Sequence, residues 1–377
     1  MKPSRREQIA TRVAFFVTGV AMSSWAPLVP IVRLRLGLDG GQLGGLLLCL
    51  GLGSVLSMPF SGGLAGRFGC RRTIVCAGTI ACIALPVMAC ANSTFVLGAG
   101  LLFFGGGIGM MDVVMNVQAV IVEKASGRAM MSGFHGLYSV GGIVGAGAMT
   151  GLLWLGLSPR DAALLIAGIG VALLFGCAKG LLPYGSEEES PAFAVPRGRV
   201  LLIGSMCFVM FMAEGSVLDW SGVLLNAVRG LEKSKTGVGY VAFSITMTIG
   251  RLTGDAIVGA LGPLRVLVLG GLCAASGFGL AALAPAWPVT ILGFALVGVG
   301  ASNCVPVLFS AAGRQAAMPS NLAIAAISTM GYAGILTGPA LIGFVARGSS
   351  LPAALMIVTT ALVGVSLGAK RALSVTS

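Results

Sequence analysis

The sequence predicts an all-α integral membrane protein of twelve transmembrane helices in two pseudo-symmetric six-helix bundles. Three observations carry this. Apolar residues fill 56% of the 377 positions and charged residues only 10%. A water-facing surface needs more charge than that, so the solvent of this chain is lipid. The apolar residues are gathered into stretches of membrane-crossing length, and the one sustained polar break falls after the sixth of them.

A membrane-spanning helix needs about 20 apolar residues. By that ruler the spans lie at 9–31, 41–60, 73–92, 95–121, 130–154, 161–182, 199–226, 236–258, 264–284, 288–311, 321–346 and 351–369. The first is too long for a signal-peptide core and has no clear cleavage site, so it is expected to remain as span one. Many of the 59 glycines fall inside spans, as in Gly105-Gly106-Gly107 and Gly141-Gly142. Small residues let helix backbones approach closely where no water drives packing.

Residues 183–198 form the polar break, with Pro183, Pro191 and the acid run Glu187-Glu188-Glu189. This composition predicts a flexible cytoplasmic linker. The expected organisation is a first bundle over 1–182, the linker over 183–198 and a second bundle over 199–377.

The net charge of +12 does not mark a nucleic-acid binder, because the basic residues follow membrane sidedness. With the N-terminus inside, 17 of the 24 Lys and Arg residues fall on cytoplasmic ends and loops and 7 on outer loops. The positive-inside rule therefore places both termini in the cytoplasm, as an even number of spans requires. The nine cysteines lie mostly within spans, without metal-type spacing, and read as small apolar fillers. No metal and no cofactor is expected.

Internal similarity suggests duplication. Gly136-Leu137-Tyr138 with Gly141, Gly142 and Gly145 in span five echoes Gly331-Tyr332 with Gly334 and Gly338 in span eleven. Ser24-Trp25 echoes Asp219-Trp220-Ser221, and the loop carrying Arg251, Asp255, Gly262 and Arg265 weakly repeats the loop after span two. Repeats facing each other place a binding site near the midplane, at their interface.

Ionisable groups inside spans cost about 2.5–3.5 kcal/mol on translocon scales, so each that is present should face a cavity or a partner. Asp112 and Asn116 are four apart in span four and share one helix face. Desolvation penalises the charge of a buried carboxyl, which makes such a group suited to taking up and releasing a proton. His135, the only histidine, lies in span five within reach of span four. Glu214 lies near the middle of span seven and is expected to line the cavity. Asp219, nearer the outer end, either caps that end or pairs with Lys233 or Lys235. Trp25 and Trp220 are deep enough to stack on a ring-shaped solute. Asn303 in span ten is expected where Asn116 stands in the other half. Arg251 and Asp255, one helical turn apart, are expected to latch the inner face.

The loop after span two reads Gly62-Gly63-Leu64-Ala65-Gly66-Arg67-Phe68-Gly69-Cys70-Arg71-Arg72. It resembles the loop 2–3 signature of the major facilitator superfamily, in which glycine, aspartate and basic residues recur. Gly62, Arg67, Gly69, Arg71 and Arg72 fit; Gly66 stands where the aspartate is expected. The resemblance implies gating roles for Arg67, Arg71 and Arg72. At finer grain, Asp112 with Asn116 matches the acid-x-x-x-Asn pattern of the fucose-permease-like branch, where the acid joins in proton coupling and the asparagine touches sugar. The segments His135-Gly136-Leu137-Tyr138-Ser139 and Ala213-Glu214-Gly215-Ser216 are similar to the YbjJ-like and MosC-like bacterial permeases. Span one departs from the fucose carriers, having Ser23 and Ser24 but no acid.

The function expected is secondary active transport in the bacterial inner membrane: proton symport of a small polar solute, sugar-, polyol- or inositol-like, by an alternating-access monomer driven by the proton gradient. Asp112, His135 and Glu214 are the expected proton-coupling groups. Trp25, Asn116, Tyr138, Asp219, Trp220, Asn303 and Tyr332 are the expected substrate contacts, and Arg251 and Asp255 join the loop arginines as gating groups. The alternative is proton-driven export of drugs or metabolites, which a methionine-lined cavity would suit. One histidine and no clustered metal ligands argue against a membrane enzyme, and the absence of a soluble output domain argues against a sensor.

Overall fold

The computed structural model describes residues 4–185, 191, 193–232 and 235–374. The linker's acid run and Lys233 lie outside the described residues. Those residues form helices and connecting turns, with no strand among them. Lipid offers the backbone no hydrogen bonds, so a spanning segment has to satisfy its own.

In chain order the helices are α1 (Arg5–Ser24), α2 (Val29–Leu36), α3 (Gly40–Ala89), α4 (Thr94–Ser126), α5 (Met131–Trp154), α6 (Pro159–Cys177) and α7 (Gly198–Val223). They continue as α8 (Val238–Leu261), α9 (Pro263–Leu283), α10 (Trp287–Ala301), α11 (Cys304–Arg314), α12 (Ser320–Gly348) and α13 (Leu351–Leu373). A 3-10 turn at Ala26–Leu28 joins α1 to α2, and α7 ends in a π turn at Leu224–Val228. Eleven of these helical stretches are long and apolar enough to cross a bilayer. One of them, α3, has 50 residues, which as a straight helix would measure about 75 Å, more than twice a bilayer core. It is broken at Gly69, where φ is 81° and ψ 158°. Gly262, between α8 and α9, has nearly the same backbone, φ 78° and ψ 155°.

The chain forms two compact units. One comprises Met1–Gly127, Leu137–Val195 and Met318–Ala326, and the other Arg128–Gly136, Pro196–Ala317 and Ile327–Ser377. Within the first, Asn321 Nδ2 donates to the Gly62 carbonyl at 2.8 Å. Within the second, the Gly133 N–H donates to Asp255 Oδ1 at 3.0 Å.

Each unit is packed through glycines whose absent Cβ makes room for a neighbouring backbone. In the first, Gly141 and Gly145 lie against Phe16 and Val20, Gly105 against Leu50, and Gly107 against Ala77 and Ala81. In the second, Gly334 and Gly338 lie against Phe208 and Met212, Gly298 against Phe243, and Gly300 against Gly270 and Ala274. The offset from Gly141 to Gly334, from Gly105 to Gly298 and from Gly107 to Gly300 is 193 positions in every case. From α1 to α7 it is 192, as from Phe16 to Phe208, and returns to 193 between the left-handed Gly37 and Gly230. The extra residue lies in the stretch that contains the π turn, the geometry that accommodates a single insertion in a helix.

This register corrects the pairing of spans one and seven. Ser24 Oγ bonds the Val20 and Gly145 carbonyls, and its counterpart is Ser216, bonded to the Met212 carbonyl, not Ser221. Likewise Tyr138 corresponds to Gly331 rather than to Tyr332.

Arg35 and Arg229 have structural duties. Arg35 Nη1 donates to the Ala89 carbonyl at 2.7 Å, and Arg229 Nη2 to the Ala282 carbonyl at 2.7 Å; the two carbonyls match at the 193 offset, while the arginines that reach them are one position out of register. Cations are favoured at helix C-termini, where the last carbonyls lack partners.

Gly334→Leu should destabilise the protein by at least about 1–3 kcal/mol, because the added side chain meets the Phe208 backbone. Gly147→Leu, which has open space around its Cβ, should be near neutral. Thermal unfolding in detergent separates the two. Arg229→Ala should cost about 1 kcal/mol by uncapping α9, read in the same assay.

Candidate functional site

In the first unit the chemistry is concentrated on α4. Asp112 is only 9% exposed, and among the described residues its carboxylate has no hydrogen-bond or ion-pair partner. Met110 and Met111 precede it and Met115 follows three positions on. Met111 Sδ lies against Gly78, and Met115 Sδ accepts from Thr18 Oγ1 at 3.3 Å. Asn116 shares the Asp112 face, as the spacing predicts, but its Nδ2 donates to the Asp112 carbonyl at 2.9 Å and so serves its own helix. Trp25 is buried in the apolar cluster containing Leu28, Val32, Leu85 and Phe104. Its indole N–H has no partner there. Tyr138 is half-buried, with its carbonyl against Gly19.

In the second unit the polar groups gather around α8. Arg251 is buried, with Nη2 3.6 Å from Glu214 Oε2 on α7. That separation is an ion pair but exceeds a good hydrogen bond. His135 is buried edge-on to Phe309, ring centroids 5.7 Å apart at 61°. Asp255 receives the Gly133 N–H, so the expected latch acid holds the first turn of α5.

Asn303 sits at the break between α10 and α11, φ −108° and ψ −5°. Its Nδ2 donates to the Gly250 carbonyl and to Ser302 Oγ, both at 3.1 Å, while its buried Oδ1 has no partner. In register Asn303 corresponds to Met110, and Asn116 to Phe309, so the two amides are not equivalent. Trp220 Nε1 donates to the Pro339 carbonyl at 3.1 Å, and Asp219 beside it is exposed. Lys235, one expected partner of Asp219, pairs with Glu232 at 3.0 Å instead. Tyr332 lies 6.0 Å from the Phe211 ring.

Of the loop arginines, Arg71 is committed to structure. Its Nε donates to the Leu181 carbonyl at 2.9 Å and its Nη2 to the Lys179 carbonyl at 3.2 Å, closing the end of the sixth span. Arg67 is exposed and lies 5.3 Å over the Phe68 ring, and Arg72 is exposed. No group of metal-ligating side chains occurs among the described residues.

Two polar side chains on α4 escaped the sequence reading. Gln118 is fully buried; its Nε2 donates to Thr11 Oγ1 at 2.9 Å, and its Oε1 accepts the Leu182 N–H at 3.0 Å. Glu123 is buried near the C-terminal end of the same helix. The cost of a polar group in an apolar span, applied to Asp112 and Asn116, would have flagged Gln118 as well.

The family model of the Major Facilitator Superfamily matches residues 13–339. An uncharacterized MFS-type transporter of Yersinia pestis is 52% identical over 371 residues, covering 98% of this chain and 97% of the relative. The membrane protein MosC of Rhizobium meliloti is 30% identical over 356 residues, 93% of this chain and 86% of the relative. The crystal structure of the E. coli fucose:proton symporter FucP superposes with a TM-score of 0.81, 16% identity and 98% of each chain covered, a likeness of fold. Glycine-laddered apolar helices, a buried unpaired acid and these matches lead to one conclusion: the chain is a multi-pass membrane transporter that belongs to the major facilitator superfamily.

Proposed function

We propose that the protein is a proton-coupled secondary carrier that moves a small polar solute, sugar-, polyol- or inositol-like, in symport with protons by alternating access. On this reading the break at Gly69 divides α3 into two spans, because the matching backbone at Gly262 separates α8 from α9. The spans then number twelve, in two six-helix halves over 1–182 and 199–377 joined by the linker 183–198. The membrane is the bacterial inner membrane and both termini are cytoplasmic, as the distribution of arginines favours.

One observation carries the coupling: Asp112 is a buried carboxyl without a partner. An ionised carboxylate there must be rehydrated, bind a cation or take up a proton. Proton uptake removes the cost of returning the group to an apolar setting. Protonation therefore changes which conformations are favoured, and a solute bound unequally by those conformations is moved with the proton. Glu214 differs in that Arg251 stands beside it, so the pair is neutral without a proton. In this scheme Asp112 carries the proton, while Glu214, Arg251 and His135 order the second unit. Trp25, Asn116, Tyr138, Asp219, Trp220, Asn303 and Tyr332 are the candidate solute contacts, and Arg67, Arg72, Arg251 and Asp255 the gating groups, with Arg71 acting in the gate by holding the end of the sixth span to the loop. The methionines flanking Asp112 favour a second reading, proton-driven export, since their soft side chains accommodate varied apolar solutes.

In proteoliposomes, Asp112→Asn should retain solute counterflow and lose accumulation driven by an imposed pH gradient. A thermal-shift screen of polar metabolites supplies the solute, and an internal pH dye reports proton movement. Wild-type accumulation by the variant removes Asp112 from the mechanism, and acid-driven extrusion of lipophilic cations favours export. Arg251→Met should destabilise by about 3 kcal/mol, because it leaves Glu214 without its cation. Adding Glu214→Gln should restore much of the loss, measured as a double-mutant cycle of thermal stability.

A further inference from the structure

We infer that the end of the linker and the inner tip of α3 form a membrane-interface anchor that engages the headgroups of anionic phospholipids. The linker reads as a solvated tether by composition, but its described residues follow α3. The Arg71 N–H donates to the Leu182 carbonyl at 2.8 Å and the Cys70 N–H to the Tyr184 carbonyl at 3.4 Å, beside the Gly69 break. Gly185 then lies against the Ala65 backbone, and Phe193 packs on Phe60 with ring centroids 6.3 Å apart. Phe60 precedes Gly69 by nine residues of helix, a rise of about 13 Å. The linker contacts thus move along α3 away from its cytoplasmic tip, in the direction of the bilayer.

The surface they make is apolar and basic together. Phe60 is 54% exposed, Phe193 50% and Val195 60%. On a membrane-spanning helix, exposed phenylalanine faces lipid, and Phe193 and Val195 extend that face with residues from the linker. Arg67 and Arg72 stand at the tip of α3, on either side of Gly69. Both are exposed, and neither has a carboxylate partner among the described residues. Arg71, between them in sequence, is held by the Leu181 and Lys179 carbonyls and adds its charge to the same region. Aromatic and aliphatic side chains at lipid depth, bordered by exposed guanidinium groups that have no carboxylate partner among the described residues, complement an acyl chain carrying an anionic headgroup. The fold does not require the feature. In the second unit the positions equivalent to Phe60 and Arg67 are Thr253 and Ala260, and of the basic pair only Arg72 has an arginine counterpart, Arg265.

The test uses the full chain in nanodiscs of phosphatidylethanolamine and phosphatidylglycerol. Val195→Cys, in a background with the exposed Cys76 replaced by serine, is labelled with an environment-sensitive fluorophore. The label should be quenched by nitroxide lipids near carbonyl depth and shielded from aqueous iodide. Native mass spectrometry should find phosphatidylglycerol retained in preference to phosphatidylethanolamine. Arg67→Gln and Arg72→Gln should each weaken that preference about fivefold, with thermal stability unchanged. Full iodide access to the label overturns the anchor. Equal retention of the two lipids by the wild-type protein overturns the anionic selectivity. Neither result bears on Asp112, so the inference and the proposed transport cycle fail separately.

Discussion

A solvent that cannot hydrogen-bond sets the terms for this molecule. Every backbone amide within the bilayer must find its acceptor in the same helix, and helices then attract one another only as far as their surfaces fit. The fit here is achieved by removing side chains. Gly141 on Phe16, Gly105 on Leu50 and Gly107 on Ala77 let backbones touch, and Gly334, Gly298 and Gly300 repeat the arrangement. Helices that meet through glycine carry little interlocking side-chain relief at those points. The helix surfaces packed inside each unit are therefore smooth, a property compatible with movement in a carrier.

Against this repeated frame the polar residues are distributed unequally. Asp112 corresponds to Val305, Arg251 to Met58 and Asp255 to Gly62. One unit holds a buried acid that has no partner among the described residues; the other holds an acid, a guanidinium, a histidine and an amide near one another. The duplicated backbone supplies the framework, and substitution at matched positions gives each half a different chemistry. Asp112 stands apart because nothing around it neutralises a charge.

Much of the fold was legible from composition. Apolar stretches of fixed length are a direct reading of the solvent, and the structure has helices at the spans they mark, eleven of membrane-crossing length, with the expected spans two and three both inside α3. The Gly69 loop was legible because a positive φ favours glycine. The candidate site was legible only as a set of residue types. Spacing put Asp112 and Asn116 on one face, but it could not tell that the Asn116 amide turns back onto its own helix. It matched Trp25 with Trp220 and Asn116 with Asn303, because similar residues attract the eye while register is set by backbone contacts between glycines. Arg71 looked like a loop charge; its carbonyl partners are more than a hundred positions away in sequence, where no local pattern reaches.

The π turn at Leu224–Val228 has a wider consequence. A surplus residue in an unbroken α-helix would swing everything beyond it by about 100°. Widening one turn to the π form takes up the residue locally. The part of α7 before the turn keeps the glycine contacts that α1 makes, and the two units are back in step by Gly230, so the tolerance for an added residue is confined to one turn at the end of the helix.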